Sequence, residues 1–192
     1  MRYDQILILS FFVIMALQMI GFGLFLKVKN LSLGGVSPIN KIKFKTSKIS
    51  MMLVWAALFF QTFEKIDLSV FKRPAFLTPI ALSLFIIGAL VQLISYFVLG
   101  KSLKFGIPSN EEKYFVHLKI KGLYRFSRNP MYLGFFMLML SSCLYVLNPF
   151  IWLLSIYSMI VHHEIIKKEE DFLKMRFGYN WEQYTRKVRR YL

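Results

Sequence analysis

The sequence predicts an all-α integral membrane protein of about five transmembrane helices, the last two a hairpin, followed by a cytosolic helical tail. Three observations carry this. The 192-residue chain is 56% hydrophobic, with 20 Phe and 10 Met, more apolar than an ordinary soluble domain. Long uncharged apolar runs recur along it. Its cationic side chains gather at one end of those runs.

Residues 6–26 are an uncharged apolar run, long enough for the roughly 20 residues that cross a bilayer as a helix. The run exceeds the roughly 7–15 residues of a signal-peptide core. Lys27-Val28-Lys29 follows it in place of a small-residue cleavage site, so it reads as a retained anchor. Residues 27–48 read as a Gly/Ser/Lys-rich loop, with turns at Gly34-Gly35 and Ser37-Pro38, and the alternating stretch 41–45 as a solvated linker. Residues 49–63 span only if their flanks contribute, and residues 75–99 are a second full-length run. The apolar stretch 131–161 is broken at Asn148-Pro149 and predicts a hairpin of two helices, each about 15 residues. The chain forms one domain in two halves: residues 1–100 with three membrane helices, and residues 101–192 with a polar motif, the hairpin and the tail.

In the tail, Ile165, Ile166, Phe172, Leu173 and Phe177 recur at helical spacing and Gly178 is a stop signal. Trp181, Tyr184, Val188 and Tyr191, interspersed with Arg186, Lys187, Arg189 and Arg190, predict a short basic amphipathic helix lying on the cytosolic leaflet.

The net charge of +15 would suggest nucleic acid in a soluble protein, but its distribution argues otherwise. Residues 27–48 hold six Lys, residues 101–128 seven Lys/Arg and residues 167–192 eight. Only Arg2, Lys65, Lys72 and Arg73 lie at the opposite ends. This bias predicts an outside N-terminus and a cytosolic motif and C-terminus, with membrane lipids rather than nucleic acid as the partner of the basic charge. Cys143 is the only cysteine, so no intrachain disulfide forms.

The segment of greatest chemical interest runs from Gly122 to Gly134. Pro130 suits the first turn of a helix, and Asn129 or Ser127 can cap it. A helix start offers free N–H groups to an anion, and Arg128 adds a fork-shaped cation suited to carboxylate or phosphate. Tyr124 and Tyr132 flank the point with flat faces. A ligand with a carboxylate and an aromatic ring fits this set; so does a plain capped helix with a snorkelling Arg, and both readings stay open. Glu164/Lys168 and Glu170/Lys174 are i,i+4 pairs and read as a solvated face. Glu169 lacks such a partner and is the better ligand contact. His117, His162 and His163 form no metal set, and there is no HExxH, GxGxxG or GxSxG. His162-His163 is a place where proton transfer could occur.

On these residues the chain resembles the isoprenylcysteine carboxyl methyltransferases and their phospholipid methyltransferase relatives. The resemblance rests on Gly122, Tyr124, Arg128, Asn129, Pro130, Tyr132 and Gly134, then Glu169, Glu170, Leu173, Phe177 and Gly178, then Tyr184 and Arg190, and covers roughly residues 115–191. It implies an integral membrane enzyme using S-adenosylmethionine (SAM), held by Val116, His117, Leu118, Lys119, Tyr124, Asn129, Pro130, Met131, Tyr132 and Glu169. No residue is assigned the catalytic role outright; Arg128, His163 and Arg190 are the candidates, and no metal is expected. The acceptor is expected to be a lipophilic small molecule or lipidated substrate, either the carboxylate of a prenylated cysteine-like group or a lipid head group; the oligomeric state is left open.

The chain departs from that pattern in three places. Asn129 stands where eukaryotic members have His, no Arg precedes the Glu pair, and Arg189 replaces a Pro. These departures bear on the acceptor more than on the cofactor. Sterol reductases resemble the same region, through the Arg128-Asn129-Pro130-x-Tyr132 turn and Gly178, Trp181 and Tyr184, and imply NADPH instead. The Glu169-Glu170-x-x-Leu173 element fits the methyltransferases better. A non-catalytic membrane protein is the third reading.

Overall fold

The computed structural model describes residues 3–28, 35–63, 66–100, 107 and 118–192. Among the described residues, six α-helices follow in chain order: α1 (Tyr3–Val28), α2 (Lys41–Phe60), α3 (Leu77–Leu99), α4 (Pro130–Tyr145), α5 (Pro149–Phe177) and α6 (Tyr179–Lys187), with a 3-10 turn at Gly122–Arg125 before α4. Among the described residues, three helices are long and apolar enough to cross a membrane: Tyr3–Phe25, Leu77–Leu99 and Pro149–Phe177. The shorter apolar α4 has 16 residues, about 24 Å of helix against a hydrocarbon core of about 30 Å. Three of the five expected spans thus meet the length and composition of a membrane-crossing helix among the described residues.

Two boundaries differ from expectation. Residues 41–48 are not a linker. Asn40 caps α2 by accepting from the N–H groups of Ile42 and Lys43, so the charged stretch becomes its first two turns. The second arm of the hairpin is not about 15 residues long. After Asn148 caps it by accepting from the Phe150 N–H, α5 continues for 29 residues. Nothing between Val161 and Lys168 breaks the helix, so the first part of the expected tail is a continuation of α5. Gly178, at φ +47°, ends it in a conformation that side chains with a Cβ rarely adopt.

α4 packs most extensively along α3, and α5 along α2. The α3–α4 crossing is close because both helices carry glycine there. A Cβ on Gly134 would lie 2.7 Å from the Gly88 carbonyl oxygen, and one on Gly88 2.9 Å from that of Gly134. The α2–α5 seam is polar: Ser50 donates to the Leu154 carbonyl at 2.7 Å, and the Thr46 and Tyr157 hydroxyls lie 2.6 Å apart. Phe85, Leu138, Met139 and Tyr145 fill the core between the pairs. At the end opposite the motif, Tyr145 donates to Asp4 at 2.7 Å, and Arg73 donates to the Tyr145 carbonyl at 2.6 Å. Asn148 there ties in the loop before α3 by donating to the Leu68 carbonyl at 2.8 Å.

Candidate active site

The Gly122 to Gly134 segment is held by what surrounds it. Gly122 opens the 3-10 turn at φ +63°, and Pro130 begins α4. Asn129 occupies the cap position, but its side chain does not cap. Its own N–H is taken by Ser127 Oγ at 3.1 Å, and its amide donates to Glu170 Oε1 at 2.8 Å and to the Arg190 carbonyl at 3.3 Å.

Glu170 is the centre of this network, not part of a solvated face. It is 7% exposed. Arg128 donates Nε to its Oε1 and Nη2 to its Oε2, both at 3.2 Å, and Arg190 donates Nη2 and Nε to Oε2 at 2.8 and 3.1 Å. Arg128 also donates Nη1 to the Val188 carbonyl at 2.8 Å. The expected helix-surface partners go elsewhere: Lys174 lies 4.0 Å from Glu182, and Glu164 lies 3.2 Å from Lys43. The Arg128 fork read as an anion receptor is thus occupied by an internal carboxylate.

The residues after α6 form an extended strap, not a continued helix. α6 ends at Lys187 with Val188 extended. The strap carbonyls of Arg189 and Arg190 accept from the Arg128 N–H at 3.0 Å and the Ser127 hydroxyl at 3.2 Å. Trp181 and Tyr184 are buried in the protein, and Tyr184 donates to the Tyr124 carbonyl at 2.6 Å. Burial pushes the Tyr184 hydroxyl up to about 12 and the Tyr124 hydroxyl higher still. The hydrogen bond to Glu170 raises the Arg190 guanidinium above its ordinary value.

Glu169 faces the other way, toward α4. Tyr132 donates to its Oε1 at 3.0 Å. No described residue hydrogen-bonds its Oε2. Tyr124 lies close enough to interact with Glu169 electrostatically. A small cavity of about 60 Å³ beside Tyr124 is lined by Leu118, Lys119, Tyr124, Phe177 and Trp181 among others. An adjoining groove of about 400 Å³ runs along Leu118, Ile120, Phe177 and Asn180 to Lys187; ligand sites commonly measure about 300–1,000 Å³.

The expected cofactor residues are therefore distributed unevenly. Tyr124, Tyr132 and Glu169 gather in one place, and Leu118 and Lys119 border the cavity beside it. Asn129 is turned to Glu170, Pro130 is fully buried and Met131 packs against the core. Val116 and His117 lie outside the described residues. Of the catalytic candidates, Arg128 and Arg190 hold Glu170. His163 bonds Tyr191 through Nδ1 at 2.5 Å. His162 is the histidine beside Tyr132, with ring centroids 6.1 Å apart, and its ring lies 4.5 Å from that of Phe135. Among the described residues no three His, Cys, Asp or Glu side chains are placed to hold a metal.

Fold and site together define an all-helical protein of membrane-spanning type, with a buried charged network and an adjoining Tyr–Glu site at one end of the bundle. The chain belongs to the phospholipid methyltransferase family, whose model matches residues 77–180, from the start of α3 into α6. A protein of Haemophilus influenzae, described only as an uncharacterized protein, is 33% identical over 63 residues, which are 32% of this chain and 100% of that relative. The family is one of methyltransferases, and the chain is an enzyme of that class.

Proposed function

We propose that the protein transfers a methyl group from SAM to a lipophilic acceptor at the membrane surface, with the site on the cytosolic side. The observation that carries this is the Tyr132–Glu169 hydrogen bond: it orients a carboxylate that keeps one oxygen without a described partner. Such an oxygen suits a ribose hydroxyl or an ammonium group. The start of α4, whose cap residue makes no side-chain cap bond, suits a carboxylate. Tyr124, Leu118 and Phe177 offer apolar faces to an adenine ring. These residues fit the donor. When bound, it supplies an electrophilic methyl on a sulfonium.

The chain's own task is to align and to exclude water. The Glu170 network anchors the strap across the start of α4, and Tyr184 holds the backbone of Tyr124. The acceptor, a prenylated cysteine-like carboxylate or a lipid head group, would approach from the bilayer. The test is SAM binding to the purified protein in detergent by calorimetry. Binding that weakens at least tenfold in Glu169→Ala and in Tyr132→Phe is expected. No binding by the wild type, or binding of NADPH in its place, overturns the reading.

A further inference from the structure

His162 has a geometry that the site described so far does not use. It lies on α5 seven residues before Glu169, two turns away on the same stripe, with Tyr132 of α4 contacting both residues. Its Nδ1 lies 2.7 Å from the Ser158 carbonyl oxygen. A carbonyl can only accept, so Nδ1 carries the hydrogen, and in the neutral ring the lone pair is on Nε2. No described residue hydrogen-bonds Nε2. The groups that face the ring are Phe135 and Tyr132 from α4 and Lys48 from α2, the last held 4.0 Å over the Phe44 ring. His163 lies on another face, with its Nδ1 on the Tyr191 hydroxyl. A fixed tautomer, a lone pair with no partner among the described residues and a place one side chain away from Glu169 are the attributes of a positioned general base.

We propose that His162 Nε2 is the general base that deprotonates a lipophilic amine acceptor. This rests on the methyltransferase reading, taken with a lipid amine as acceptor, and adds to it a residue. A carboxylate acceptor needs no base, because its lone pairs are free at neutral pH; an ammonium has none until it loses a proton. The ammonium N–H bond breaks and its electron pair remains on nitrogen, while the proton forms the Nε2–H bond. The freed pair makes the new C–N bond to the methyl carbon as the C–S bond breaks, its electrons staying on sulfur. The proton then leaves Nε2 for water.

The test compares wild type with His162→Asn, whose side-chain amide keeps a donor near the Ser158 carbonyl and removes Nε2. Both are given labelled SAM and either phosphatidylcholine vesicles containing phosphatidylethanolamine, a primary lipid amine, or N-acetyl-S-farnesylcysteine, a lipophilic carboxylate. Equal SAM affinity of the two proteins is expected. So is a loss of about 100-fold or more on the amine at neutral pH, shrinking as rising pH deprotonates the amine unaided. Diethyl pyrocarbonate, which modifies an unprotonated ring nitrogen, should label His162 in the wild type, and the amine vesicles should protect it, as read by peptide mass spectrometry. Methylation of the amine by His162→Asn within twofold of wild type across the pH range overturns the assignment. So does failure of His162 to be labelled, or transfer to the carboxylate alone; SAM binding persists in all three outcomes, leaving the methyltransferase reading in place. Absence of SAM binding by the wild type removes both.

Discussion

Arg128 and Glu170, 42 residues apart in the chain, meet side-on. Nε and Nη2 of the guanidinium each lie 3.2 Å from a different oxygen of the carboxylate. Arg190 and Asn129 complete the shell, so one buried Glu joins the start of α4, the last third of α5 and the C-terminal strap. The charge-assisted bonds make this shell strong, and burial makes its disruption costly.

Removing Glu170 should therefore act on folding before it acts on ligand. Glu170→Ala leaves two guanidiniums without their carboxylate, one of them only 12% exposed. A loss of about 3–5 kcal/mol is expected for breaking one side of a buried pair. The thermal midpoint in detergent should fall sharply, and limited proteolysis should release the strap. A melting curve within about 1 °C of wild type would refute the network's structural role.

Glu169 and its partner should behave in the opposite way. Tyr132→Phe removes one hydrogen bond to a carboxylate, worth about 1.5–3 kcal/mol when the acceptor is charged. Tyr132 is the one described hydrogen-bond partner of the Glu169 carboxylate, whereas Glu170 holds Arg128, Asn129 and Arg190, so the fold should survive while SAM affinity falls. Equal affinity in the variant and wild type, measured by calorimetry, would count against Glu169 as a ligand contact.

The α3–α4 crossing should tolerate no added side chain. Gly134→Leu places a Cβ 2.7 Å from the Gly88 carbonyl oxygen and 2.9 Å from the Gln92 backbone nitrogen. Neither is a flexible side-chain end, so the helices must separate. Overpacking of this kind costs about 1–3 kcal/mol or more. The expected readout is a lower yield of folded protein and a lower melting temperature, with Gly21→Leu, which meets nothing within 4 Å, as the control.

Tyr184 gives a pH-dependent prediction. Burial raises its hydroxyl to about 12, above the ordinary value of 10.0. Between those values the unfolded chain has lost the proton and the folded chain retains it. The contribution is thus fully present below pH 10 and is lost as pH rises toward 12. The wild-type melting temperature should fall across that window more steeply than that of Tyr184→Phe. Parallel slopes for the two proteins would contradict the assignment.

Several features were legible in local sequence because they depend on near neighbours. Pro130 starts α4, Gly178 ends α5, and Asn148-Pro149 separates the two helices. The pairing of Glu169 with Tyr132 was not legible, although both residues were named as cofactor contacts; the bond exists because α4 and α5 pack side by side. The expected surface helix from Trp181 to Tyr191 forms only as far as Lys187, and its aromatic side packs into the protein, for a related reason. Periodicity scored its aromatic residues as a membrane-facing stripe, whereas Tyr184 found the Tyr124 carbonyl and the strap found Arg128.

By itself the sequence determined an apolar helical chain, where its helices begin and end near Asn, Pro and Gly, and which polar residues are unusual for their setting. Those properties follow from hydropathy and backbone chemistry within a few turns. Only the tertiary structure decided that Glu170 is buried and Glu169 left available, though they are adjacent. Neighbours on a helix point about 100° apart. One therefore faces the guanidiniums of Arg128 and Arg190 and the other faces Tyr132, and which does which depends on how α5 is rotated against α4 and the strap.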